Sequence, residues 1–195
     1  EVVQPAIDYY GNNGSATDKL RTNFYQGRIY KSAGSDDLAM ESFVIALSKG
    51  ATSEDTKTKA RTCFAQFKIN YSLYEWDKCI DNLLKAAPLY KESGLDNYYI
   101  ECIALIVNCY TLKKDYSGAL PYIDECKQLI DKMSLPTLCT FYSAYITHTH
   151  NFGTNDEIND VVEEYRNIVP AENIDWLTLS KAYIKLGQYD DALQA

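Results

Sequence analysis

The chain has 195 residues, 46% of them hydrophobic, and a formal net charge of −8. This composition suffices for a buried core, and the sequence contains no run of about 18 apolar residues that would span a membrane. The acidic balance makes the chain a poor ligand for DNA or RNA phosphates, so we exclude direct nucleic-acid binding. The charge is uneven: residues 1–86 hold 11 basic and 11 acidic residues, whereas residues 87–195 hold 8 and 16.

The first segment, residues 1–14, aligns with the later stretch L-L-K-A-A-P-L-Y-K-E-S-G and is predicted to be the end of an earlier helix. Pro5 limits how far such a helix extends. After the glycine-containing loop from Gly11, Ser15 is followed three residues later by Asp18, which predicts a helix capped by Ser15. The alternative for these glycines is a phosphate-binding loop, but the Lys-Ser/Thr pair of such loops is missing.

The rest of the chain is predicted to form helical hairpins, because a small or apolar residue recurs after 40, 40, 39 and 34 residues. Two helices with two short turns need roughly 34 to 47 residues, so each step predicts one hairpin. The recurring residues are Ala39, Cys79, Ala119, Ile158 and Ala192. The turn inside each hairpin is expected three positions earlier, at Asp36, Trp76, Tyr116, Asn155 and Tyr189. The hairpins are predicted at residues 17–50, 54–93, 96–133, 136–169 and 172–195, the last of them incomplete.

Local signals support these helix ends. Glycines stand where helices are expected to stop, at Gly34, Gly94, Gly153 and Gly187. Thr154, followed three residues later by Glu157, predicts a capping box at the start of a helix. Small residues such as Gly27 recur beside bulky ones such as Phe43, which predicts interdigitated packing of large side chains against small ones.

The repeat resembles the tetratricopeptide repeat, or TPR. The first copy matches its pattern with Gly27, Tyr30, Gly34, Ala39, Phe43 and Ala46, and the fifth with Trp176, Leu179, Tyr183, Gly187, Tyr189 and Ala192. The middle copies match less well, and the fourth depends on Gly153 and Pro170. The resemblance implies an all-α fold: an α-solenoid of about five antiparallel helical hairpins in a right-handed superhelix, forming one domain over residues 1–195. We expect the chain to be a fragment of a longer protein, with truncated hairpins at both ends.

The sequence contains no recognisable catalytic or metal-binding motif. The patterns of nucleophile elbows, phosphate-binding loops, zinc peptidases and calcium loops are missing, so we expect no enzymatic activity, cofactor or metal. His148 and His150 lie two residues apart and would point about 200° apart on a helix, so they cannot bind one metal ion together. We expect one of them to be partly packed and the other exposed.

The six cysteines are predicted to be buried free thiols rather than disulfides or metal ligands, because no C-x-x-C spacing is present. They are Cys63, Cys79, Cys102, Cys109, Cys126 and Cys139. Two of them, Cys79 and Cys126, take frame positions where the repeat normally has a small buried alanine. This usage mildly favours a reducing or anoxic setting.

A ligand site is implied by the resemblance, because TPR ligands contact fixed positions on the first helices of successive hairpins, which line a concave groove. Those positions hold Arg21, Phe24, Arg28, Lys31 and Ser32 in the first copy, and Arg61, Phe64, Lys68, Tyr71 and Ser72 in the second. Spacings of three and four residues place each set on one helical face. Cations with aromatic rings between them suit an acidic peptide, a C-terminal carboxylate or another anion. Alternatively, the cations only solubilise a surface while Phe24 and Phe64 pack against neighbouring helices.

The third copy adds Asn108, which stands where TPRs that bind chaperone tails use asparagine. Those proteins place lysine at the positions held here by Phe24, Phe64 and Ala104. A receptor for chaperone tails is therefore not predicted.

The leading functional hypothesis is a non-enzymatic protein–protein interaction scaffold or ligand-sensing module that binds a peptide or protein, possibly acidic, in the groove. The segment D-Y-Y-G-N-N-G-S-A-T-D-K-L-R resembles bacterial lipoprotein-type TPR proteins, which implies an extracytoplasmic location and a membrane anchor outside this fragment. The first alternative is the sensory TPR domain of a cytoplasmic transcription regulator or kinase whose effector domain lies outside this chain. The second is an enzyme whose catalytic part lies elsewhere in the full-length protein.

Overall fold

The structure is a computed structural model that describes residues 4–194. This part of the chain consists of α-helices joined by turns, short 3-10 segments and loops, and it has no β-strand, so the predicted all-α class is confirmed. The helices are α1 Gln4–Asn13, α2 Ala16–Ser32, α3 Asp36–Lys49, α4 Thr56–Ser72, α5 Trp76–Glu92, α6 Asp96–Lys113, α7 Tyr116–Leu129, α8 Leu135–Phe152, α9 Asn155–Ile168, α10 Trp176–Leu186 and α11 Tyr189–Gln194. Short 3-10 turns follow α7 at Ile130–Lys132 and α9 at Ala171–Asn173.

Five helix starts coincide with the residues that the sequence places in the turns. Helices α3, α5, α7, α9 and α11 begin at the five residues expected in the turns, namely Asp36, Trp76, Tyr116, Asn155 and Tyr189. Four of the recurring small or apolar residues, Ala39, Cys79, Ala119 and Ile158, are completely buried. This holds also at α9, which begins at Asn155 and buries Ile158, where the sequence pattern is weakest.

The predicted helix caps are also present. The Ser15 hydroxyl accepts a hydrogen bond from the Asp18 backbone N–H at 3.1 Å, and the Asp18 carboxylate accepts one from the Ser15 backbone N–H at 3.0 Å. Thr154 and Glu157 form the same reciprocal pair at the start of α9. These capping boxes satisfy backbone donors that have no partner inside the helix.

The chain divides into two compact units, with the division between Tyr99 and Ile100. In the first unit, consecutive helices from α1 to α5 pack against one another, and α2 also contacts α4. In the second unit, α8 packs against α9 and α10, while α7 contacts α8. No helix within residues 4–194 combines the length and the apolar composition needed to cross a bilayer.

The packing of α2 on α3 depends on a glycine. The buried cluster of the first unit includes Leu20 and Phe43, and the Phe43 ring lies directly against Gly27. A Cβ atom at Gly27 would stand 2.5 Å from a carbon of that ring, so any larger residue forces the two helices or the ring to move. The predicted large-against-small packing is confirmed at this contact.

The turn inside a hairpin requires a left-handed backbone residue in four of the five copies. The φ angle is +76° at Gly34 and +74° at Gly187, but the equivalent residues of the second and third copies are Tyr74 at +59° and Lys114 at +63°. The fourth copy differs, since Gly153 has φ −82°. A side chain with a Cβ atom is strained in the left-handed region, so Tyr74 and Lys114 cost stability that glycine would not.

Replacing Lys114 with glycine is therefore expected to raise the free energy of unfolding by about 1 kcal/mol. The Lys114 side chain is exposed, so little packing is lost. Chemical denaturation of the wild type, Lys114→Gly and Lys114→Ala measures the effect. The alanine variant keeps the Cβ atom and should gain no stability, whereas equal gains in both variants would show that backbone strain is not the cause.

Candidate ligand-binding cleft

A cleft of about 450 Å³ opens in the first unit. Helices α2 and α4 supply its charged residues, and α3, α5 and the start of α6 supply further rings. Its lining consists of Phe24, Arg28, Lys31, Ser32, Phe43, Arg61, Phe64, Ala65, Lys68, Tyr90 and Tyr98. Volumes of a few hundred cubic ångströms are typical of ligand sites.

The floor of the cleft is a layer of aromatic rings. Phe24, Phe43, Phe64 and Tyr90 are all buried. The Phe64 ring centre lies 6.2 Å from that of Tyr90 in an edge-on contact, and Tyr98 stacks on Tyr90 at 5.1 Å. Such ring pairs are rigid apolar surfaces that pack the apolar part of a ligand with little loss of side-chain freedom.

The rim of the cleft is cationic. Arg28, Lys31, Arg61 and Lys68 are exposed, and no acidic residue lines the cleft. The Arg28 guanidinium carbon lies 6.0 Å from the Phe24 ring centre, and the Lys68 ammonium nitrogen lies 5.0 Å from that of Phe64. These cation–π contacts hold two charges over the aromatic floor.

Three of the four cations have no carboxylate partner. Lys31 pairs with Asp36 at 2.9 Å, whereas Arg28, Arg61 and Lys68 form no ion pair with any residue in the range 4–194. The cleft thus presents three uncompensated positive charges above apolar rings, although the whole chain carries a net charge of −8. Cations above apolar rings are chemically suited to an anion with an apolar portion.

Six of the nine residues predicted for the site line this one cleft, namely Phe24, Arg28, Lys31, Arg61, Phe64 and Lys68. The Phe24 and Phe64 rings are buried against neighbouring helices and also line the cleft.

The other three predicted residues do not line the cleft. Arg21 donates a hydrogen bond of 2.6 Å to the Asp55 carboxylate. The Tyr71 ring packs edge-on against Phe67 and Trp76, with ring centres 5.5 and 5.4 Å away. Asn108 belongs to α6 within the second unit. These three residues are therefore not among those that line this cleft.

Asp55 fixes the start of α4, the helix that carries Arg61, Phe64 and Lys68. Its carboxylate accepts hydrogen bonds from the Thr58 backbone N–H at 3.0 Å and from the Thr58 hydroxyl at 2.8 Å. Burial favours a higher pKa for Asp55, but the hydrogen bonds from Thr58 and Arg21 outweigh it and place the pKa below the ordinary value of 3.8. The ionised carboxylate therefore stabilises the fold.

Asp55 should make stability depend on pH in the acidic range. Because its folded pKa is lowered, its contribution is complete above the ordinary value of 3.8 and is lost as the pH falls through the folded pKa. Asp55→Asn keeps an amide cap but removes the charge, so this variant should lose less stability than the wild type between about pH 5 and pH 3. Urea unfolding at several pH values measures the difference, with the exposed Asp37→Asn as control. Parallel curves for Asp55→Asn and the wild type would contradict the assignment.

The cysteines and histidines form no alternative site. All six cysteines are free thiols and five are buried, with burial raising the pKa of Cys63 to about 11. His148 is buried with Nε2 3.2 Å from the Tyr116 carbonyl oxygen, and His150 is half-buried, so the prediction of one exposed histidine is wrong. The described residues contain no group of three His, Cys, Asp or Glu side chains able to hold a metal ion.

Comparisons with known proteins assign no family to this chain. No family model matches the sequence, and no curated protein matches it. The chemistry of the cleft is therefore inferred from the geometry and charge of its own residues.

Proposed function

We propose that the protein is a non-enzymatic, TPR-like helical-repeat module that binds an acidic peptide or protein segment in the cleft between α2 and α4. The observation that carries the proposal is the set of three unpaired cations, Arg28, Arg61 and Lys68, above a floor of buried aromatic rings. Carboxylates of the ligand pair with the cations, and an apolar side chain between them packs on the rings.

The helical pairing supports the repeat part of the proposal. Each of the first four helix pairs is joined by a turn of two or three residues, and the second helix of each of the five pairs begins at the residue predicted for its turn. Repeat proteins of this kind expose a surface built from equivalent helices, which suits recognition of an extended ligand. The two equivalent basic and aromatic sets on α2 and α4 are consistent with a ligand that crosses both helices.

The test uses a fluorescently labelled acidic peptide with two carboxylates on each side of one phenylalanine. Its partner peptide has every Asp and Glu replaced by Asn and Gln. We expect the acidic peptide to bind at least about tenfold more tightly, because two charge-assisted hydrogen bonds contribute at least about 1.4 kcal/mol more than neutral ones. The difference should shrink as salt is added. Equal binding of both peptides would refute the proposal, and a C-terminal amide version distinguishes side-chain carboxylates from a terminal one.

The segment D-Y-Y-G-N-N-G-S-A-T-D-K-L-R resembles bacterial lipoprotein-type TPR proteins. This resemblance adds, as an extension, a proposal about the cellular location of the protein. In this extension the module lies outside the cytoplasm and belongs to a membrane-anchored protein. The sequence of the full-length gene product tests it: a lipid-attachment signal and an apolar stretch of about 20 residues support the extension. A helix-turn-helix region without such a stretch supports the cytoplasmic regulator instead.

A further inference from the structure

A second cleft of about 470 Å³ lies among α3, α4 and α5 of the first unit. It is lined by Asp36, Asp37, Met40, Gln66, Ile69, Asn70, Leu73, Glu75, Lys78, Asp81, Asn82 and Lys85. Helix α4 contributes to both clefts with different residues: Arg61, Phe64 and Lys68 line the first, whereas Gln66 and Asn70 line the second. At 100° per residue these two sets occupy different faces of the helix.

Three buried carboxamides form the polar wall of this second cleft. Gln66, Asn70 and Asn82 are only 7%, 4% and 8% exposed. None of their side chains hydrogen-bonds to any residue in the described part of the chain. The side-chain N and O atoms of these amides are not fully enclosed by protein, so they open into the cleft, where water or a ligand can hydrogen-bond to them.

The positions equivalent to Asn70 and Asn82 hold other kinds of side chain in the first and third hairpins. The frame position of Asn70 holds Tyr30 in the first hairpin and Tyr110 in the third. The position of Asn82 holds Ser42 and Tyr122 in those hairpins. Of these three hairpins, only the second has carboxamides at all three positions. The equivalent helices of the first and third hairpins have other side chains at some or all of these positions.

The chemistry of the cleft selects the kind of ligand. A carboxamide both donates and accepts hydrogen bonds, as a peptide group does, so a row of carboxamides matches the main chain of an extended peptide. Met40, Ile69 and Leu73 supply apolar surface for an aliphatic side chain. The lining contains no aromatic ring on which a sugar or a nucleobase would stack.

The charges of the rim add a preference for a basic residue. Lys78 pairs with Glu75 and Lys85 pairs with Asp81, while Asp36 pairs with Lys31. Asp37 remains exposed and has no ion pair with any residue that the structure describes. This leaves one uncompensated negative charge beside the carboxamides, which favours a lysine or arginine in the ligand.

We infer that the cleft among α3, α4 and α5 is a second binding site, which takes an extended peptide segment through its main chain. Gln66, Asn70 and Asn82 hydrogen-bond to the peptide groups of the ligand. The apolar residues hold an aliphatic side chain, and Asp37 pairs with a neighbouring lysine or arginine. The site differs in chemistry from the basic cleft and does not depend on the function proposed for it.

The test starts from a pool of acetylated, amidated hexapeptides with Lys-Leu at the centre and random residues elsewhere. The tightest binder is resynthesised with its two central amides N-methylated, which removes main-chain donors but keeps every side chain. We expect N-methylation, Gln66→Leu and Asn82→Leu each to weaken binding about tenfold, since one buried hydrogen bond contributes up to about this factor. A pool without a member that binds would refute the inference.

Thermal unfolding separates this role from a purely structural one. Because the carboxamides make no hydrogen bond to the described part of the chain, Gln66→Leu and Asn82→Leu should keep the melting temperature within about 2–4 °C of the wild type while they weaken binding. Gln26→Leu, the equivalent change in the first hairpin, lies outside the cleft and should leave peptide binding unchanged. Unchanged peptide binding in both Gln66→Leu and Asn82→Leu would overturn the proposal.

A surface variant covers the case in which a buried substitution unfolds the chain. Asp37→Lys changes only an exposed side chain, so folding should be retained. This variant should lower the affinity for the Lys-Leu peptide about tenfold or more. It should leave the affinity for the acidic peptide of the first cleft unchanged. Equal affinity of Asp37→Lys and the wild type for the Lys-Leu peptide would also contradict the proposed site.

Discussion

Replacing Arg28 and Lys68 together with glutamate is expected to weaken binding of the acidic peptide by at least about 100-fold. Each cation contributes one charge-assisted hydrogen bond of about 1.5 kcal/mol or more, and two such losses correspond to a factor of about 150 before any repulsion is counted. Both side chains are exposed and neither forms an ion pair in the described part of the chain, so the fold should be unaffected. Fluorescence anisotropy with the labelled acidic peptide measures the loss, and circular dichroism checks the helix content.

The matched control is Lys57→Glu with Lys132→Glu, which makes the same change in net charge. Both lysines are exposed and neither lines the cleft. A general electrostatic effect would weaken binding equally in the two double variants. A specific site requires the control to retain most of its affinity, and wild-type affinity in the Arg28 and Lys68 variant would refute the cleft as the binding site.

Gly27→Ala is expected to lower the free energy of unfolding by about 2 kcal/mol, although alanine favours helices. The new methyl group would stand 2.5 Å from the ring of Phe43, which is only 1% exposed. Overpacking of this kind costs up to about 3 kcal/mol, whereas the gain in helix propensity is about 1 kcal/mol. Denaturant unfolding of the variant measures the net effect.

A double-mutant cycle identifies the Phe43 ring as the cause of that loss. In a Phe43→Leu background the ring is gone, so Gly27→Ala should become neutral or stabilising. The coupling energy between the two positions is then about 2 kcal/mol or more. An equal loss in both backgrounds would show that the glycine is needed for another reason. Because Phe43 also lies in the floor of the basic cleft, Gly27→Ala should lower the affinity for the acidic peptide as well.

The helical fold was predictable because close packing of paired helices requires a small residue at a fixed interval. That requirement is local and periodic, so Ala39 and Cys79 reveal it without any knowledge of the three-dimensional structure. Helix caps such as Thr154 with Glu157 were predictable for the same reason, since each involves residues three positions apart.

The candidate site was only partly predictable, because its members come from helices far apart in the sequence. The cationic set on α2 and α4 was predicted from the ligand-contacting positions that the TPR resemblance implies, but Phe43, Tyr90 and Tyr98 join the cleft through packing that no single helix specifies. The ion pair of Arg21 was not predictable for a similar reason: its partner Asp55 is 34 residues away and becomes a neighbour only in the folded chain.

The second cleft was not anticipated from the sequence. Gln66 and Asn70 take repeat positions whose side chains are buried or half-buried in the first and third hairpins. From the sequence alone, they therefore cannot be distinguished from other residues at these positions. Only the absence of a hydrogen-bond partner in the described residues, together with burial, distinguishes them. A sequence pattern records where a side chain lies on a helix, but not whether its polar atoms are satisfied.

Helix α4 has very few positions that are free to vary. From Thr58 to Asn70 only two side chains, Arg61 and Lys68, are exposed, and both line the basic cleft. The remaining positions of this stretch are buried or half-buried among neighbouring helices or face the carboxamide cleft. Exposed positions usually tolerate substitution with little effect on stability. In this stretch the two exposed positions also line the basic cleft, so substitutions there are expected to impair function. In a library of random single-residue variants, this stretch should retain fewer functional substitutions than the exposed face of α9.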